Sequence, residues 1–125
     1  MPDDSDWLIL EEYLGMSAEE SILFDWRGTS QGSELKASPT EVLSWNGTNS
    51  TGFTALPTGY IVASGGGSVA GTSNLSSASS TAAYWSRTPI DDNLIIIRLL
   101  HTSQDNIKRD TTPKFFGQPV RCIKD

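Results

Sequence analysis

The sequence predicts an α+β domain: two N-terminal helices, long Gly/Ser-rich loops and a small antiparallel sheet. Three observations carry that prediction. Helix start signals fall within the first 25 residues, Gly, Ser, Thr and Asn dominate 28–81, and apolar strand candidates cluster after that. At 125 residues and 13.5 kDa the chain has the length of one domain, 1–125, with a single modest core.

The first element is written in "DDSDWLILEEYL" (3–14). Asp3 or Asp4 can cap the free amides, and acids in the first turn suit the helix dipole. Trp7, Leu10 and Leu14 share one helical face, and Gly15 follows as a stop. Ser17-Ala-Glu-Glu20 is a capping box opening a second, short helix from Ala18 to Asp25. Sequence neighbours such as Glu11/Glu12 and Glu19/Glu20 point in different directions on a helix, which reads as a solvated acidic face. The stretch "NGTNSTGFTALPTGY" (46–60) has loop composition, yet spaces Phe53, Leu56 and Tyr60 at regular intervals. "GGGSVAGTSNLSSASSTAA" (65–83) is of low complexity. Strands are expected at "AAYWSR" (82–87), "LIIIRLL" (94–100) and "PVRCIKD" (119–125), with "DNIKRD" (105–110) as a less apolar fourth.

Composition excludes several functions. The net charge is −6, with ten acids against Arg27 and Lys36 in residues 1–50, so the clustered bases that grip nucleic acid are missing. No apolar run is long enough to span a bilayer. The start, "MPDDSDW", has neither the basic nor the apolar region of a secretion leader, which leaves open a cytosolic protein and one whose leader lies upstream. Cys122 has no disulfide partner and reads as a small buried hydrophobe. No zinc-type spacing is present, so neither a metal nor another cofactor is expected. His101 has no nameable triad partner and reads as facing solvent. Ser33-Glu-Leu-Lys36 matches an SxxK pattern without its companion motifs, and "GGGSVAG" (65–71) lacks the GK[ST] ending of a phosphate loop. The sequons at Asn46, Asn49 and Asn74 are coincidences expected of an Asn-, Ser- and Thr-rich chain.

What remains is binding. Segment 86–116 mixes apolar strand positions with varied polar ones: Arg87, Asp91, Asp92, Asn93, His101, Ser103, Asn106, Lys108 and Arg109. Two strands joined by "HTSQD" would bring several of these onto one exposed surface, there to meet a protein or a glycan.

Five ordered phrases, "PDDSDWLILEEYLG", "GSELKAS", "GTNSTGFTALPTGY", "YWSRT" and "VRCIKD", resemble the Fibrobacter succinogenes major paralogous domain along essentially the whole chain. That family in turn resembles the formylglycine-generating-enzyme group, which implies a C-type-lectin-like fold. The resemblance implies that 46–60 is framework, that Trp7, Trp85, Val120 and Cys122 are core, and that Arg121 is a buried cation needing a carboxylate. It does not bring the enzymes' activity, because those use paired cysteines and this chain has one. Nor does it bring calcium-dependent sugar binding, because "WNG" (45–47) lacks the acid. It implies a bacterial surface or secreted, non-enzymatic ligand-binding domain, the alternative being a structural domain of a larger surface protein. Met1 stands where the family has the Leu of an HLP phrase, so the usual first strand is expected to be missing. "PVRCIKD" would then be an open edge, covered by another copy or by a non-standard segment. Residues 89–116 depart most from the family pattern, resembling proteins whose binding face is diversified by retroelements.

Overall fold

A computed structural model describes residues 1–62, 75–76 and 79–124. The Gly-rich run at 65–71 and the sequon at Asn74 lie outside the described residues. In chain order the elements are α1 (Asp4–Tyr13), α2 (Ala18–Ser21), β1 (Asp25–Arg27), α3 (Gln31–Leu35), β2 (Tyr60–Ile61), β3 (Leu75–Ser76), β4 (Thr81–Pro89), β5 (Leu94–His101) and β6 (Ile107–Pro113). β1, β6, β5 and β4 form an antiparallel sheet in that order, and β2 pairs with β3 apart from it.

α1 begins as its sequence dictates. Asp3 Oδ1 accepts from the Asp6 amide at 3.0 Å, and Asp6 Oδ2 accepts from the Asp3 amide at 2.8 Å, a reciprocal box. Ser17 caps α2 by accepting from the Glu20 amide. α2 ends at Ser21, short of the expected Asp25. Asp25 turns to φ 73° and enters β1, where pairing with β6 overrides the local helical signal. Neither β1 nor α3 was expected. β1 has three residues, and Ser30 makes no side-chain cap for α3, so no local signal announces either.

The core joins Trp7 and Met16 to Leu35, Ala37, Trp45 and Ala55 from the loops, and to Ala82, Tyr84, Leu100 and Ile107 from the sheet. Phe53 meets Trp7 at 5.9 Å and Tyr84 at 5.8 Å between ring centroids, while Leu56 packs at the margin. Residues 46–60 are framework, held by backbone bonds from Gly47 to Ala37, Asn49 to Lys36, and Ala55 to Leu35. The Asn49 side-chain Nδ2 donates to Glu41 and Thr54.

Between α1 and the sheet lies a set of buried charges. Arg98 and Arg109 stand opposite each other on adjacent strands, which like charges resist unless acids intervene. Asp4 supplies one acid, accepting from Arg98 at 2.8 Å and from Arg109 at 2.7 Å. Glu11 supplies the other, accepting from Arg98 at 2.6 Å and from Arg27 at 2.5 Å. Burial raises the Asp4 carboxyl, but Arg109 and Arg98 outweigh it and hold it below the usual carboxylate range. Glu11, read from sequence as part of a solvated face, is 0% exposed.

The carboxyl end departs from expectation. The described residues of "PVRCIKD", 119–124, form no strand; Val120 is 55% exposed, and Arg121, Cys122 and Ile123 are exposed as well. Val120 and Cys122 are therefore not core, and Arg121 stacks 4.6 Å from the Phe53 ring centroid in place of a carboxylate. The outer edge of β4 is partly occupied instead. The Trp85 amide donates to Pro119, the Arg87 amide to Pro2, and Gly59 pairs with Ala82. Trp7 is core as expected, while Trp85 is half-buried.

Candidate functional site

An antiparallel meander puts its successive turns at opposite ends. β5 spans eight residues, so the 90–93 turn and the 102–106 turn stand roughly 25 Å apart. The nine predicted site residues therefore do not form one surface.

Asp91, Asp92 and Asn93 meet at the β4–β5 tip. Asp91 Oδ1 accepts from the Asn93 and Leu94 amides, each at 2.7 Å, and these bonds hold its carboxyl below the usual range. Lys114 Nζ bridges to the carbonyls of Asp91 at 2.7 Å and Asp92 at 3.1 Å, while its amide donates to Asn93. The backbone is thus fixed from both sides, leaving Asp92 and Asn93 turned to solvent. Flanking them, Ile90 is 50% and Phe115 58% exposed, and Phe115 stacks edge-on against Phe116. Ile90, Lys114 and Phe115 were not among the nine expected residues, although apolar Ile90 stands directly before the turn in the sequence. Arg87, exposed on the nearby strand, faces Asp3 at 3.5 Å.

His101 and Ser103 occupy the opposite end, with Nδ1 and Oγ 2.8 Å apart. The turn beside them is held from beneath by Lys36, which is fully buried, its Nζ donating to the carbonyls of His101 at 3.1 Å and Gln104 at 2.8 Å. Burial pushes the Lys36 ammonium below its usual range, Asp105 opposing. Lys36 is therefore a structural brace, not half of an SxxK pair. Asn106 is half-buried, and its Oδ1 lies buried without a partner among the described residues.

Lys108 stands on a sheet face, paired with Asp110 at 2.7 Å and Asp25 at 3.7 Å. Arg109 points the other way into the buried charges, so it leaves the predicted ligand face altogether. Three like guanidiniums in one core are hard to foresee, although Arg98 at the centre of "LIIIRLL" was a visible signal.

Among the described residues, no group of three or more His, Cys, Asp or Glu side chains is arranged to hold a metal ion. No described helix is long and apolar enough to cross a membrane.

Residues 1–124 match the family model described as the Fibrobacter succinogenes major domain. No curated protein and no solved structure matches the chain.

Proposed function

Because the chain belongs to the Fibrobacter succinogenes major domain family, we propose that it is a non-enzymatic binding domain of a bacterial surface or secreted protein, with a C-type-lectin-like fold. Its ligand seats on the β4–β5 tip. The observation that carries this reading is the exposed Ile90, Asp92 and Asn93 on a turn braced through Asp91 and Lys114, with exposed Phe115 following that lysine in the chain. A fixed backbone limits the ordering entropy of binding. Exposed large hydrophobes amid polar groups are the mixture found in protein interfaces. Of the protein and glycan ligands open to such a domain, the two apolar anchors favour a protein.

The test uses arrays of surface proteins and of glycans. The triple variant Ile90→Ser, Asp92→Ala, Phe115→Ser is expected to lose at least tenfold in binding with its melting temperature unchanged. His101→Ala with Ser103→Ala, at the opposite end, is expected to bind as the parent does. Binding retained by the tip variant and lost by the other would move the site; glycan binders alone would change the ligand class. No binder on either array would favour a purely structural domain.

A further inference from the structure

A cleft of about 280 Å³ opens between α1 and the carboxyl-terminal segment. That volume lies near the lower edge of small-molecule sites, roughly 300–1,000 Å³. Its walls sort by chemistry. Trp7, Leu10 and Phe53 supply an apolar surface continuous with the core, while Asp6 and Arg121 supply one charge of each sign. Arg121 stacks on Phe53 and pairs with no carboxylate among the described residues. Asp6 gives Oδ2 to the helix cap, accepting from the Asp3 amide. Trp7 Nε1, on a residue of the wall, is buried without a hydrogen-bond partner among the described residues. Donors left in that condition are costly and uncommon in folded proteins.

We propose that this cleft binds a small zwitterion with an apolar body, an α-amino acid with an aromatic or branched side chain. The carboxylate pairs with Arg121, the ammonium with Asp6, and the side chain lies against Trp7, Leu10 and Phe53. A simple carboxylate would meet Asp6 as a like charge, and a simple amine would meet Arg121 as one. Only a ligand bearing both signs is matched at both walls. None of the β4–β5 tip residues 90–93 lines the cleft.

Three ligands of equal body test the idea: L-phenylalanine, 3-phenylpropionate and 2-phenylethylamine, titrated while amide and indole signals are followed by NMR. The expected dissociation constant for L-phenylalanine is on the order of 1 mM, the range for about a dozen heavy atoms. The two singly charged compounds are expected to bind at least tenfold more weakly, with shifts confined to the Trp7 indole and its neighbours. Arg121→Gln changes an exposed side chain and should abolish L-phenylalanine binding with the fold intact by circular dichroism. Asp6→Asn keeps the capping acceptor and should reverse the preference toward 3-phenylpropionate. Equal binding of all three compounds, shifts centred on Asp92, or no shift at saturating L-phenylalanine would each overturn the proposal.

Discussion

Glu11→Gln probes the buried charges between α1 and the sheet with little change of volume. The wild-type carboxylate is fully buried and accepts from Arg27 Nη2 at 2.5 Å and Arg98 Nε at 2.6 Å. Neutralising it leaves Arg98 with Asp4, but leaves Arg27 without a carboxylate among the described residues, beside the carbonyls of Ser21 and Ile107. Removing one partner of a buried ion pair costs about 3–5 kcal/mol, mostly because the remaining charge stays desolvated. Gln keeps one acceptor oxygen, so Glu11→Gln should fall near the lower figure and Glu11→Ala, which also opens a cavity, near the upper. At roughly 2.1 cal/mol/K per residue, 125 residues unfold with an entropy of about 0.26 kcal/mol/K. The melting temperature should then drop by about 11–19 °C.

Calorimetry and urea titration read both numbers, and a double-mutant cycle separates charge from packing. Glu11→Leu with Arg27→Met together should recover most of the loss, since an apolar pair of similar volume replaces both charges. A cost under about 1 kcal/mol for Glu11→Gln would refute the reasoning, for it would mean that water already screens the group.

Asp4→Asn tests the pH dependence. The Asp4 carboxyl is held below its ordinary value of 3.8, so its contribution is full above that pH and is lost as pH falls through the folded value; urea midpoints of the variant should fall less steeply than wild type below pH 3.8. Lys36→Met should cost about 1–3 kcal/mol by freeing two half-buried carbonyls, and should raise amide exchange selectively in 101–106. Gly32→Ala places a Cβ 2.1 Å from the Asn106 carbonyl oxygen, so α3 must shift, and denaturation should show a loss of at least about 1–3 kcal/mol. Cys122→Ser should change stability by less than about 0.5 kcal/mol, and wild-type Cys122 should react with a thiol reagent while folded, because the side chain is exposed.

How much of this was legible in the chain depends on the range of the signal. Asp3 and Ser17 were readable as caps because their partners lie three residues away, and Trp7 because helical spacing marks its face. β4 and β5 were readable from apolar runs, while β6 was foreseen only as the less apolar candidate "DNIKRD" (105–110) and runs instead over Ile107–Pro113. The carboxyl-terminal "PVRCIKD" carried a better local pattern than β6, yet among the described residues β4 gives it a single backbone bond, from the Trp85 amide to the Pro119 carbonyl. A strand pattern states a capacity to pair, and whether an edge is free to accept it is settled by Pro2 and Gly59 from elsewhere in the sequence. The same holds for charge. Glu11, Arg98 and Arg109 are written with the letters of solvated residues, and Glu11 reaches Arg98 across 87 positions. Burial of a charge is a property of the pair, so single-residue reading assigned Glu11 to water and Arg109 to a ligand. Their true placement follows only when α1 is laid over β5 and β6, where Asp4 and Glu11 stand opposite three guanidiniums that otherwise could not share one interior.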